Sequence, residues 1–321
     1  MEYRSIGKSD IPPVSRLCFG ALTVGPLQSG LPVEEGARVI LSALEREVNF
    51  IDTAQLYGTY AHIRRALELW GKKGAVISTK TYAHTRELAE RALNEALEAL
   101  GRDYIDIFML HEQESIHTIR GHREALEYLL EAKRAGKIRA VGLSTHRIAG
   151  MRGALEYGGF DLLHPIYNIA GLGIHEDVEN RREAMGEAIA EAADKGIFVL
   201  TMKPLGGGHL YRRAAEAFNF LLDDPSVGAV AVGMKTEQEV EDNVSFFESR
   251  TFPAGYAGRT ADSSERALQI ADWCEGCGKC AGACPQGALE LRDGRAVCDC
   301  EKCVLCGYCA PACGMFAIRV N

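Results

Sequence analysis

The sequence predicts a closed barrel of eight parallel β-strands, each followed by an α-helix, with a small cysteine-rich α+β module appended to it. Three observations carry that expectation. Eight short apolar runs recur between Val14 and Gly233, and a helical pattern follows each. The runs lack strict alternation, as strands covered on both faces do. Ten of the eleven cysteines crowd into Cys274–Cys313, the exception being Cys18.

The strands are expected at Val14–Phe19, Asn49–Thr53, Ala75–Lys80, Tyr104–His111, Arg139–Ser144, Leu162–Asn168, Phe198–Lys203 and Val227–Gly233. Eight strand–helix units in a row favour a (β/α)8 barrel over an open doubly wound sheet. Thr85–Leu100 is the clearest helix: Leu88, Ala92, Leu93, Ala96, Leu97 and Leu100 recur at three- and four-residue spacing, and Gly101 marks the stop. Ala184–Ala193 and Thr236–Phe247 follow the same period, and Met1–Pro13, with turn residues over Gly7–Asp10, reads as a hairpin ahead of the barrel. A barrel takes roughly 250 residues. The 321-residue chain therefore divides into a barrel over 1–250, a linker over 251–270 and a module over 271–321. Pro253, Gly255 and Gly258 give the linker its composition, and a short helix is expected over Glu265–Asp272.

Hydrophobic residues make up 47% of the chain and charged residues 25%, normal for a soluble globular protein. The net charge of −8 gives no reason to expect nucleic acid or anionic lipid as a partner. The longest apolar runs, such as Ile105–Leu110, are strand-sized, far short of the ~20 residues that span a bilayer. Met1-Glu2-Tyr3-Arg4 opens no apolar signal segment, so a cytoplasmic location is expected.

Cys274, Cys277, Cys280 and Cys284 form C-x2-C-x2-C-x3-C, followed by Pro285. Cys303, Cys306, Cys309 and Cys313 repeat the spacing 29 positions later, with Gly314 in place of the proline. Gly278 matches Gly307, Ala288 matches Ala317 and Leu289 pairs with Ile318, which reads as a duplicated half-module. This is the bacterial ferredoxin run for two [4Fe–4S] clusters, in which the fourth cysteine crosses to the other cluster. One cluster then takes Cys274, Cys277, Cys280 and Cys313, and the other Cys303, Cys306, Cys309 and Cys284. Zinc sites come as separated C-x2-C pairs, and a disulfide framework would spread its cysteines over the part that needs stapling. Cys298 and Cys300 are left over and read as ordinary buried thiols, and Cys18 reads as core.

Four polar residues fall at the ends of successive strands, where catalytic groups of such barrels sit. They are Asp52 and Tyr57 in Phe-Ile-Asp-Thr-Ala-Gln-Leu-Tyr-Gly, Lys80 in Ser-Thr-Lys and His111 in Met-Leu-His. Singly each has a bland reading, as a helix cap, a solvated strand end or a core histidine. Together they supply what reduction of a carbonyl needs: a proton donor, a cation to tune it and a polar group to hold the carbonyl. His62, His84, His117 and His122 lack such company and are assigned to the surface or to helix faces.

On these residues the chain, over roughly 1–250, closely resembles the aldo-keto reductase superfamily, with D-T-A-x-x-Y-G its most specific motif. The resemblance implies that Tyr57 is the general acid, that Lys80 lowers its pKa, that Asp52 pairs with the lysine and that His111 orients the substrate carbonyl. An adjacent ammonium favours phenolate, so it moves the donor toward working pH. The resemblance also implies a nicotinamide pocket, altered here. Ser144 matches, but Thr145 stands where asparagine is usual, His164 where glutamine is usual, and Met202 where an aromatic often stacks on the ring. Lys203-Pro204-Leu205-Gly206-Gly207-Gly208 resembles a pyrophosphate-approaching loop, since glycine lets backbone come close. Gly233, Met234, Thr236 and Asn243 resemble the adenosine end, and Glu239 takes the position that often reads a 2′-phosphate, which favours NADH over NADPH.

The expected function is therefore an iron–sulfur oxidoreductase of aldo-keto reductase type that reduces a small carbonyl with NAD(P)H. Two alternatives stand beside it. The barrel could receive single electrons from the clusters without nicotinamide, or serve as a docking scaffold for an electron carrier. A redox partner protein is a candidate in each case. The module replaces the family's C-terminal tail, so it is expected to cover the barrel mouth.

Overall fold

The computed structural model describes every residue except 8, 175–179, 257–266, 314–316 and 321. Eight parallel strands close the barrel: β1 (Leu17–Gly20), β2 (Phe50–Asp52), β3 (Val76–Thr81), β4 (Ile105–Leu110), β5 (Ile138–Thr145), β6 (Leu162–Pro165), β7 (Phe198–Met202) and β8 (Ala229–Gly233). β8 returns to pair with β1, Val230 opposite Leu17 and Gly233 opposite Gly20. The expected strands are all present, with bounds that move by a few residues. The first divides: Val14–Ser15 pairs with Tyr3–Arg4 in an antiparallel ribbon and Leu17–Gly20 enters the barrel.

Side-chain alternation in each strand decides what faces the axis. Cys18, Phe50, Val76, Ile107, Met109, Ala140, Leu162, Leu200 and Ala229 fill the barrel interior, and Ile6, Ile11 and Val14 of the N-terminal ribbon close its lower end. Their neighbours Leu17, Phe19, Ile51, Ile77 and Phe108 point outward to the helices. A dominant run of helices wraps the strands, among them α1 (Val33–Glu45), α2 (Tyr60–Trp70), α3 (Arg86–Leu100) and a last helix, Glu237–Ser249. Thr85 caps α3, its Oγ1 accepting from Leu88 N at 3.3 Å, and Gly101 ends it in the left-handed conformation. His62 lies on a helix face, that of α2, where it is buried and its Nε2 lies 2.9 Å from the Leu31 carbonyl.

The C-terminal module is built from two antiparallel ribbons and two short helical turns. β9 (Leu268–Ile270) pairs with Ile318–Val320, and Leu289–Arg292 pairs with Arg295–Cys298. Leu268–Ile270 is thus a strand of the module's sheet where a helix over Glu265–Asp272 was expected; residues 265 and 266 of that helix, and most of the linker, lie outside the described residues. The alternation of Leu268 and Ile270 toward Cys280, Leu289 and Ile318 explains the strand, because a small module needs every apolar side chain in its core. Gly276 takes φ 64° and packs so closely on Gly294 that an added Cβ would stand 2.0 Å from its carbonyl oxygen. Cys300 is exposed, not buried as expected, and Cys298 is half-buried.

Thr85→Ala is expected to cost about 1 kcal/mol through loss of the cap, read as a lower urea midpoint with unchanged denaturant slope.

Candidate active site at the barrel mouth

The four strand-end residues converge. β2 ends on Asp52, a 3-10 turn over Gln55–Tyr57 carries Tyr57, Lys80 lies one residue from the end of β3, and His111 follows β4. Lys80 Nζ donates to both Asp52 oxygens, at 2.9 and 2.8 Å, and to the Thr53 carbonyl at 2.7 Å. Ser78 Oγ donates to Asp52 Oδ1 at 2.7 Å. All of these groups are buried, so the pair is held by hydrogen bonds that fill the ammonium's donors and the carboxylate's acceptors. Lys80 Nζ stands 5.0 Å from the centre of the Tyr57 ring.

The electrostatics depart from the expectation for Tyr57. Burial lowers the stability of a phenolate, and it outweighs the pull of Lys80, which Asp52 partly cancels; the phenol is held above its ordinary value. Burial would lower Lys80, but Asp52 and Tyr57 together hold it above its usual value. Burial, with Lys80 and His146 adding to it, brings His111 down to about 3, so its imidazole is neutral. Tyr57 is a fully protonated donor facing a neutral imidazole.

The C-terminal module sits on this mouth. Tyr308 reaches in from between Cys306 and Cys309, and its hydroxyl lies 3.0 Å from His111 Nε2 and 3.4 Å from the Tyr57 hydroxyl. Gln28 Nε2 donates to the Leu305 carbonyl at 2.8 Å, and His209 Nε2 lies 2.8 Å from the Cys303 carbonyl. Val304 joins the main barrel core, and Tyr308 packs with Leu27, Ala54 and Tyr57. Behind His111, Tyr82 stacks on its ring at 4.4 Å and donates to Glu112 Oε2 at 2.5 Å. Glu112 holds a left-handed φ of 48°; its Oε1 lies 2.9 Å from His146 Nδ1, which is also 2.9 Å from Gln286 Nε2 of the module.

A cavity of about 120 Å³ lies beside Tyr57, lined by Gly20, Thr23, His164, Met202, Lys203, Leu205, Gly207, Gly233 and Val304 among others. Four of the residues expected at the cofactor line it outright, His164, Met202, Lys203 and Leu205, and so does Gly233. His164 is buried, burial holds it neutral, and its Nδ1 has no hydrogen-bond partner among the described residues. Gly206 lies just behind, against Leu172. The others turn elsewhere. Ser144 Oγ accepts from Glu112 N at 2.9 Å, and Thr145 Oγ1 accepts from Arg147 N at 3.0 Å. Met234 is fully buried. Thr236 caps the last barrel helix by accepting from Glu239 N, Glu239 Oε2 accepts from Lys235 N at 2.7 Å, and Asn243 Nδ2 donates to the Glu239 carbonyl at 2.8 Å.

In the module two cavities are lined by cysteines. Cys274, Cys277, Cys280 and Cys313 line one, and Cys284, Cys303, Cys306 and Cys309 line the other. The fourth cysteine of each run therefore faces the cavity of the other run. Backbone amides already point at the sulfurs, Ala288 N at 3.3 Å from Cys284 Sγ and Ala317 N at 3.2 Å from Cys313 Sγ. Eight thiols around two cavities, with amide donors aimed at sulfur, fit iron–sulfur clusters.

Comparison with known proteins agrees with this geometry. The aldo/keto reductase family model matches residues 16–219, and a 4Fe-4S binding domain model matches 269–290. The chain belongs to the aldo/keto reductase family. Aldo-keto reductase YhdN of Bacillus subtilis is 28% identical over 240 residues, 70% of this chain and 68% of its own length. An NADH-specific methylglyoxal reductase of Escherichia coli is 28% identical, covering 65% of this chain and 69% of its own. In fold, the chain superposes on the holo aldo-keto reductase AKR11C1 of Bacillus halodurans with a TM-score of 0.64 at 21% identity, over 82% of this chain and 96% of that one. This protein is thus an oxidoreductase of the aldo-keto reductase type with iron–sulfur binding. Among its described residues no helix is long and apolar enough to cross a membrane.

Tyr308, Val304, Gln28, Tyr82, Glu112 and His146 were not among the sequence-derived site residues. A signal existed for two of them. At the 29-residue offset of the repeat, Glu275, Gly276 and Lys279 become Val304, Leu305 and Tyr308. The first loop is polar and open, with Glu275 and Lys279 exposed. The second is apolar where it meets the barrel, Val304 and Leu305 being buried.

Lys80→Ala leaves the buried Asp52 carboxylate unpaired and is expected to lower stability by about 3–5 kcal/mol, measured by urea unfolding of the cluster-loaded chain. In an NMR titration with carbon-13-labelled tyrosine, the resonance lost in Tyr57→Phe is expected to move only above pH about 10; movement near neutrality would contradict the dominance of burial.

Proposed function

We propose that this protein reduces a small carbonyl-type substrate at Tyr57 and His111, holding two [4Fe–4S] clusters in its C-terminal module. One observation carries the reading: Tyr308, the residue next to the cluster-facing Cys309, hydrogen-bonds into the Tyr57–His111 pair. The cavity of Cys284, Cys303, Cys306 and Cys309 therefore adjoins the tetrad. When bound, the clusters supply one-electron transfer. The chain itself does the rest. Reduction of a carbonyl to an alcohol takes up two electrons and two protons, the electrons coming from a one-electron reductant such as a redox partner protein. Tyr57 Oη holds the proton that goes to oxygen, and solvent supplies the one that goes to carbon. His111 Nε2, in the tautomer that carries its proton there, can donate to the substrate oxygen once that oxygen takes the place of the Tyr308 hydroxyl. Lys80, fixed by Asp52, places a positive charge behind the phenol as negative charge develops on it. The exposed Cys277 and half-buried Cys274 put the outer cavity at the solvent side, where a redox partner has access. A cytoplasmic location suits thiol-bound clusters in a reducing compartment. The working division is a barrel over 1–250 and a module over 271–321 joined by 251–270, with Leu268–Ile270 shared into the module's sheet.

A second reading, hydride transfer from a nicotinamide, is favoured by the cavity beside Tyr57 and by the unpartnered Nδ1 of the buried His164. A nicotinamide would supply hydride there. The NADH name of the Escherichia coli relative supports NADH as the form taken. The loop it would lie along, however, is already covered by Val304.

Purified anaerobically, the full chain is expected to hold about eight iron and eight sulfide, Cys284→Ser to lose iron from the cavity of Cys303, Cys306 and Cys309, and Cys313→Ser from that of Cys274, Cys277 and Cys280. Tyr57→Phe is expected to cut dithionite-driven reduction of small aldehydes by about 10²–10⁴-fold at unchanged iron content. An undiminished rate in that variant would remove Tyr57 from the reaction.

A further inference from the structure

The Gly206–Gly208 loop after β7 looks from sequence like a place where backbone must come close to something. In the structure that something is the protein's own chain. All three glycines have positive φ, and a Cβ on Gly207 would stand 2.3 Å from the Val304 carbonyl oxygen and 2.9 Å from Val304 Cα. Gly173 shows the same from the other side, with a Cβ falling 2.4 Å from the Val304 side chain. Gly307 is pressed on Leu27, whose carbonyl oxygen would be 2.4 Å from an added Cβ. Leu305 itself lies in the left-handed region, φ 50°, which residues other than glycine rarely adopt, and the Gln28 hydrogen bond holds its carbonyl there. Three residues on, the Tyr308 hydroxyl occupies the point within hydrogen-bond reach of both Tyr57 and His111.

One five-residue segment therefore covers two places at once, the glycine loop and the polar seat of the tetrad. We infer that Val304–Tyr308 is a built-in occupant of the barrel mouth, so that docking of this segment and binding of a nicotinamide dinucleotide along Gly206–Gly208 exclude each other. The inference rests on the reading of the mouth as a ligand site, and its test does not depend on turnover. The open part of the cavity, with the unpartnered His164 Nδ1 in its wall, is what a dinucleotide meets first. To lie along the loop it must displace Val304, and with it the Gln28 and His209 tethers.

The test uses the full, cluster-loaded chain under anaerobic conditions and NADH as the probe. Two variants are compared with the natural sequence, Gln28→Ala combined with His209→Ala, and Tyr308→Ala; iron content is checked in both. Amide exchange over 303–309 reads docking, and fluorescence titration reads NADH affinity. The expected result is faster exchange over 303–309 in both variants together with NADH binding at least about ten-fold tighter, and faster exchange in the natural chain at saturating NADH. Three results would overturn the inference: equal NADH affinity in all three proteins with 303–309 still protected at saturation; faster exchange in the variants without NADH binding; or neither exchange nor affinity altered in either variant. Failure of the Tyr57→Phe rate experiment would leave these binding outcomes readable, so the two ideas fall separately.

Discussion

The arrangement of the barrel mouth depends on a single backbone-on-backbone approach, that of Val304 to Gly207. At the distances found there, no residue with a Cβ could take the place of Gly207 without pushing the module away. Everything else at the mouth follows from that closeness. It brings Cys306 into the barrel core, sets Tyr308 over His111, and carries the Leu305 and Cys303 carbonyls to Gln28 and His209. The contact is made by a loop that already has little freedom, because its cysteines must also face a common cavity. A strained Leu305 is the visible cost of satisfying both demands.

The tetrad beneath is a second constraint of a different kind. A buried ammonium and a buried carboxylate are tolerable only when their hydrogen-bonding capacity is met, and Asp52, Thr53 and Ser78 meet it. That neutralisation limits what Lys80 can do for Tyr57. The lysine's field is shared with Asp52, and the burial that excludes water also opposes the phenolate. The result is a firm proton donor beside a neutral imidazole. Such a pair suits delivery of a proton to a developing alkoxide.

Much of this was legible before the fold. The strands betrayed themselves as short apolar runs because a parallel barrel buries both faces of each strand, and Thr85 and Gly101 bracketed their helix through capping chemistry that is local. Asp52, Tyr57, Lys80 and His111 were legible because strand ends of such a barrel share one rim. Leu268–Ile270 was not, since a three-residue strand is defined by its partner 50 residues away in sequence rather than by its own pattern. Glu239 and Thr236 were read as facing a cofactor, but a helix start consumes just such side chains for its own free amides.

The sequence by itself determined the barrel, the duplicated cysteine run and the four polar strand ends, because each is written in spacing along the chain. Only the tertiary structure decided that the glycine loop after β7 is covered by Val304 and that Tyr308 lies in the tetrad. Both are contacts between segments about 100 to 250 residues apart, made by backbone closeness and ring position, and neither quantity leaves a period in the sequence. The exchange of Glu275, Gly276 and Lys279 for Val304, Leu305 and Tyr308 marked the second loop as buried; what it is buried against is a property of the folded chain alone.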